Sequence, residues 1–321
     1  MPSHGRAITA AAVLLLLLLF STWEAPPARA HLGASEEFLP GWHWRWDVTS
    51  VLVLFGTLYT RGWIRLRKLG GAAGCFHLFS YTVALAAIAC ALLSPLDGLA
   101  SYLLIAHMVQ HELLIMIAPP LILLANPVPV LLWGLGSRCR SRFGNVMARH
   151  SLLRQARDFL GSMPVAWFLY VANLWAWHHP LLYEAALRNS TIHDIEHLLF
   201  FLTGLLFWWP VARPASRPAP VHDALRILYL FLAATQDAVL SGLIALSGTV
   251  LYPHYEGARR VWGVTPLEDQ IGGGIVMFAV GSTVYLVAIL LVVNSLLSAD
   301  RHKRSTKGAL RDGAVEIEGR V

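Results

Sequence analysis

His107 and His111 stand one helical turn apart inside the otherwise apolar run IAHMVQHELLIMIAPP (105–120), and His193 and His197 repeat that spacing in HDIEHLLFF. On an α-helix, positions i and i+4 share a face, so each pair presents two imidazoles side by side. Two such faces turned toward each other would supply four nitrogen ligands. Imidazole suits copper, zinc, iron and nickel, and a thioether adds preference for Cu(I). Met108 lies three residues before His111, and Met277 falls at a similar depth in the last apolar stretch. Gln110, Glu112, Asp194 and Glu196 flank the histidines and are of the types that fix ring tautomers.

Other polar residues extend the set. Asp237 falls inside LAATQDAVLSG, where an unpaired carboxylate in hydrocarbon would be costly. It reads either as a bridge to a neighbouring helix or as a partner of a metal ligand or proton relay. Asp97, in LLSPLDGLASY, is expected to close the same vestibule. His254 in YPHYE is a weaker ligand candidate than the paired histidines, and His178 and His179, next to Pro180, read as interfacial. If the leader is cut after Ala30, His31 becomes an N-terminal residue able to chelate copper through its amino group and ring together.

The elements that must carry these residues are membrane helices. The chain of 321 residues is 56% apolar and only 14% charged, with a mean hydropathy of +0.56, values that belong to polytopic membrane proteins. Residues 1–30 read as a signal peptide or an extra N-terminal hydrophobic helix: Arg6, an apolar run to Phe20, and the small-x-small site Ala28-Arg29-Ala30. An outer segment (31–47) follows. Seven apolar stretches then come at 48–64, 76–93, 102–124, 161–177, 195–211, 226–247 and 271–297, making 48–297 a seven-span all-α bundle. Pro119-Pro120 and Asn126-Pro-Val-Pro129 interrupt the third stretch, and 127–136 reads as an interfacial or kinked extension. The charged residues 298–321 form a solvated cytoplasmic tail. The three cysteines make no C-x-x-C pair, which argues against thiolate chemistry.

Charge sets the orientation. With seven spans, the segments 61–68, 138–157 and 213–226 and the tail from 300 hold 19 of the 25 Lys and Arg residues, all on one side. That side is cytoplasmic by the positive-inside rule. The net charge of +6 is therefore a topology signal and excludes a nucleic-acid partner. Nine of the fourteen histidines, including both pairs, then fall on the outer side or in the outer half of a span.

The blocks HMVQHELLIMIAPPLILLANP, WAWHHPLLYEAAL, HDIEHLLFFLTGLLFWWPV and YPHYE resemble the CtaG family of cytochrome c oxidase assembly factors, the multi-spanning family named for caa-type oxidases. The resemblance runs from about residue 40 to 297. It implies a bacterial plasma-membrane protein that matures a haem-copper oxidase, with oxidase subunits as partners and copper as cargo. A copper donor on the periplasmic side would supply it. The paired residues His107, His111, His193 and His197 carry over, with His254 in the outer loop. Copper rests mostly on the histidine spacing, and the expected role is not catalytic.

Rival readings of the same residues are a membrane zinc protease, since His193-Asp-Ile-Glu196-His197 fits the inverted H-x-x-E-H pattern, and a haem protein with axial histidines. A transporter using Asp237 as its ion site is a further one.

Overall fold

The computed structural model describes residues 42, 44–71, 74–149, 151–212 and 223–318, and the side chains of all of these except 144, 146–149, 151–154 and 299–318. The leader at 1–30, His31 and most of the segment 31–47 lie outside the described residues. Among the described residues every regular element is helical.

Helix α1 (Trp46–Lys68) is followed by α2 (Cys75–Leu93), the short α3 (Pro95–Ala100) and α4 (Leu104–Glu112). The chain then passes through one π turn (Leu113–Ile117) into α5 (Ala118–Leu124) and α6 (Pro127–Gly134). Next come α7 (Ser137–Arg149), α8 (Ser151–Leu160), α9 (Met163–His178), α10 (Pro180–Arg188) and α11 (Ser190–Trp208). The last are α12 (Asp223–Ala245), the single turn α13 (His254–Gly257) and α14 (Pro266–Glu318).

Four stretches are long and apolar enough to cross a bilayer: Cys75–Leu93, Leu104–Leu124, Asp223–Ala245 and Pro266–Ser298. The other three expected spans are present as helices but are shorter or more polar. In α9, 16 residues reach only about 24 Å at 1.5 Å per residue. Helix α11 carries His193, Asp194, Glu196 and His197, and α1 ends on Arg65, Arg67 and Lys68. Large apolar side chains such as Phe55, Phe79, Phe168, Phe231, Phe278 and Leu291 point outward, as a lipid-facing surface requires.

Lipid is as apolar as leucine, so helices in a bilayer associate by close packing and by hydrogen bonds rather than by hydrophobic burial. Both devices recur here. Gly62 of α1 lies against the Val130 carbonyl of α6, and Gly134 of α6 against the Leu58 carbonyl of α1, with no room for a Cβ at either place. The Arg65 guanidinium then reaches the Trp133 and Leu135 carbonyls at 3.0 and 3.1 Å. The stretch expected to be a kinked extension of the third span is thus a separate helix locked onto the first. Asn126, in a left-handed conformation, makes the turn between α5 and α6.

The π turn follows from Pro119 and Pro120. Neither has an N–H to give, and each ring crowds the carbonyl four residues back, so the ladder widens just after Glu112. The start of α4 lacks a cap of its own. Asp269 of α14 supplies one, accepting from the backbone N–H groups of Leu104 (2.6 Å) and Ile105 (3.0 Å). Gln270 braces the loop after α12 through the Leu251 N–H and the Ile244 and Thr249 carbonyls.

The charged segment expected to be a solvated tail from residue 300 continues α14 as helix to Glu318. Its Ala, Lys, Arg and Glu content favours helix.

Candidate metal centre

Helices α4 and α11 are brought together just beyond the π turn, where Gly204 lies against Ile115 and Pro119. One to two turns back from Ile115, and two to three turns back from Gly204, the two histidine pairs face each other. Ring centroids are 4.4 Å apart for His107 and His111, and 4.1 Å for His193 and His197. Across the helices they are 5.1 Å for His107 and His193, and 5.4 Å for His111 and His197. One nitrogen from each of His107, His111 and His197 lies within 4.8 Å of the other two, and ligand atoms of His107, His193 and Glu196 meet the same limit. The pairing expected from sequence is therefore present in three dimensions.

These groups are buried: 0% of His107 and Glu196, 3% of His111 and 4% of His197 is exposed. Among the described residues, both ring nitrogens of His111 and of His197 and both carboxylate oxygens of Glu196 lack a hydrogen-bond partner. The nearest approach is His111 Nε2 to Glu196 Oε1, at 3.6 Å. Burying six such atoms unpaired is costly unless something else satisfies them. A coordinated ion would take one nitrogen from each ring and a carboxylate oxygen, and the donor set of imidazoles and one carboxylate fits copper or zinc.

The tautomer of His107 can be deduced. The Tyr255 hydroxyl lies 3.0 Å from the Ala100 carbonyl, which can only accept, so the phenol donates there. Its oxygen is left to accept from His107 Nδ1–H at 3.1 Å and from the Tyr183 hydroxyl at 3.2 Å. Burial holds the Tyr255 and Tyr183 phenols well above their ordinary range, so both keep their protons. His107 therefore presents a lone pair at Nε2, and that atom is 3.3 Å from His193 Nε2.

Other candidates fall beside the cluster. Met108 is buried but packs against Gly273 of α14, and Met277 belongs to the same apolar core. His254 gives its Nε2–H to the Ser101 carbonyl (3.0 Å) and its backbone N–H to Glu184 (2.8 Å), which ties down the loop. Asp97 accepts from Gln110 Nε2 at 2.7 Å, and Gln110 also reaches the Ala91 carbonyl, so α2, α3 and α4 are joined there. Glu112 is one residue on from His111 and so on another face. It interacts electrostatically with Asp237 of α12, whose carboxylate presses on Gly281 of α14. Glu112 and Asp237 form a polar group of their own, beside the hydrogen-bonded Tyr170–Tyr285 pair (2.8 Å).

Three residues escaped the sequence reading. His178, expected at the interface, is buried; its Nδ1–H goes to the Leu174 carbonyl at 2.8 Å, its Nε2 is without a partner among the described residues, and its ring is 5.9 Å from His111. Tyr255 and Tyr183 position His107, and the only hint of them was the density of tyrosine in YPHYE and LLYEAAL. At the more open side, Arg45 binds Asp194 at 2.5 Å and Asp47 at 2.8 Å. Burial opposes the charge on Arg45, and the two carboxylates outweigh it, raising the guanidinium above its ordinary value.

The profile of the cytochrome c oxidase caa3 assembly factor family matches residues 57–299, a stretch that contains every residue of the cluster. The chain belongs to that family. Curated relatives include an uncharacterised protein of Mycobacterium bovis and one of Mycobacterium tuberculosis. Each is 26% identical over 258 residues, covering 78% of this chain and 39% of the relative. An uncharacterised protein of Mycobacterium leprae is 23% identical over 279 residues, covering 82% of this chain and 42% of its own. The chain thus spans about two fifths of the length of these relatives. No solved structure matches.

Proposed function

We propose that this membrane protein takes part in assembling a haem-copper cytochrome c oxidase by holding a copper ion, as cargo, at the imidazole cluster and passing it to an oxidase subunit. The observation that carries this reading is the meeting of His107, His111 and His197 from two helices with the nitrogens of His111 and His197 unpartnered. Family membership supports the assembly role.

The chain binds and releases; it performs no bond-breaking chemistry in this scheme. His107 is oriented through Tyr255, and buried packing around His111 and His197 excludes water, which keeps a soft ion from exchanging freely with solvent. Helices α1, α9 and α11 cross alongside the four most apolar stretches, giving seven spans. The basic segments lie in the cytoplasm and the cluster opens to the outer side. A leader at 1–30 and a copper donor on that outer side belong to the same reading.

The test is metal analysis of the purified protein beside oxidase maturation in cells. The expected result is close to one copper per chain, with both retention and oxidase activity lost in His111→Ala and His197→Ala. A wild-type protein that holds no copper under anaerobic conditions, or alanine variants that mature the oxidase normally, would overturn the proposal.

A further inference from the structure

The two ligand groups overlap at a single residue. His107 belongs both to the set with His111 and His197 and to the set with His193 and Glu196. Its Nδ1 proton is committed to Tyr255, so it has one lone pair, at Nε2, to give. A neutral imidazole nitrogen binds one ion at a time.

The sets also differ in depth. His193 is half-buried at the first turn of α11, next to Asp194 and the Arg45 guanidinium, whereas His111 and His197 are buried further along. Glu196 lies between them, grouped with His193 yet 3.6 Å from His111.

Building on the copper reading above, we propose that the cluster is two successive coordination positions sharing His107: a receiving position of His107, His193 and Glu196, and a holding position of His107, His111 and His197. The ion moves between them by exchanging ligands while His107 stays bound. In the metal-free protein His193 Nε2–H donates to His107 Nε2 across 3.3 Å. On loading, that proton leaves Nε2 and His193 becomes the Nδ1–H tautomer, so both Nε2 lone pairs face the ion. One His193–ion bond and one Glu196–ion bond then break as bonds to His111 and His197 form; no electron is transferred. Glu196 remains beside the held ion. A monovalent ion with one carboxylate leaves no net charge in the buried site, while a divalent ion leaves an uncompensated positive charge, which is unfavourable there. Charge balance in the buried site therefore favours Cu(I) over Zn(II).

The experiment uses the full-length protein in detergent, free of oxygen, titrated with Cu(I) against a coloured Cu(I) chelator, with loading followed by rapid mixing. One ion per chain is expected. His193→Asn should slow loading and release by about tenfold or more with little change in equilibrium affinity, and the X-ray absorption signature of bound Cu(I) should stay as in the wild type. Glu196→Gln should slow loading likewise and also weaken affinity, because it removes the carboxylate that balances the held ion. His111→Ala and His197→Ala remove ligands of the holding position and should weaken affinity by more than the about 10–100-fold that loss of an outer partner costs, without slowing association. Circular dichroism confirms that each variant is folded.

Two ions held at once, or equal affinity losses in all four variants without a kinetic split, would show a different arrangement and overturn the proposal. Tighter binding of Zn(II) than of Cu(I) would remove its selectivity claim. A wild type that binds no copper sinks the functional reading itself. A wild type that binds one copper in an undivided shell sinks only the two-position scheme.

Discussion

Trp208 of α11 donates its indole N–H to the Ile115 carbonyl across 3.1 Å, and Ile115 is the residue whose helical acceptor role Pro119 leaves vacant. A proline that would weaken a buried helix thus becomes a fastening point between the two histidine-bearing helices. Both Trp208 and Ile115 are buried, so water is a poor substitute partner.

The Trp208→Phe variant keeps an aromatic ring but removes the N–H donor and part of the indole's buried volume. It should destabilise the protein by about 1–3 kcal/mol, the cost of leaving a buried carbonyl unpaired. It should also weaken metal affinity, because the registry of His193 and His197 against His107 and His111 rests on this contact and on Gly204. Thermal unfolding in detergent and a Cu(I) titration check the two effects. A variant as stable as wild type would mean that the helices are held elsewhere.

Much of this arrangement is legible in the sequence for physical reasons. The i,i+4 spacing fixes each pair on one face, and the apolar flanks say that the pairs are buried, so His107, His111, His193 and His197 can be found without coordinates. What spacing cannot tell is which groups reach the site from distant chain. Tyr255 meets His107 across 148 residues and Asp269 caps α4 across 165. His178 is not legible in this way: the loop at Pro180 beside it reads as interfacial, whereas the ring is buried and Tyr252 donates to the His178 carbonyl at 3.0 Å. Met108, three residues before His111, and Glu112, one residue after it, read as neighbours of the cluster. One residue along a helix turns a side chain by about 100°, and both turn to other neighbours.

Tyr255→Phe tests the tautomer argument. Without the phenol oxygen, His107 Nδ1–H and the Tyr183 hydroxyl lose their acceptor, and the His107 ring is free to turn or change tautomer. Loss of such an outer partner of a metal ligand lowers affinity by about 10–100-fold, here with the ligand nitrogens all still present. His254→Ala, one residue away, should change copper affinity far less, since that ring bonds the Ser101 carbonyl and the backbone N–H bond to Glu184 still holds the loop. Equal effects from the two variants would contradict the orientation role given to Tyr255.

The contact between Asp237 and Gly281 makes a non-additive prediction. Gly281→Ala places a Cβ on the Asp237 carboxylate and should destabilise the α12–α14 pair by about 1–3 kcal/mol, as overpacking does. In the double variant Gly281→Ala/Asp237→Ala the obstructing group is gone. Unfolding midpoints should then show the alanine at 281 costing less than it does alone, a coupling that independent sites would not give.

Arg45 and Asp194 make the last prediction, on access. Arg45 is within electrostatic reach of His193 and His197, and its charge disfavours an approaching cation. Arg45→Gln removes that charge and leaves the Asp194 carboxylate exposed to the ion's path, so copper association should quicken severalfold at low ionic strength. Asp194→Asn leaves the guanidinium with less compensation, Asp47 still being 2.8 Å away, and should slow it. Both differences should shrink as salt rises and the Debye length falls from about 30 Å at 0.01 M to about 8 Å at 0.15 M. Rates that ignore both substitutions and the salt would place the path of the ion away from the Arg45–Asp194 pair.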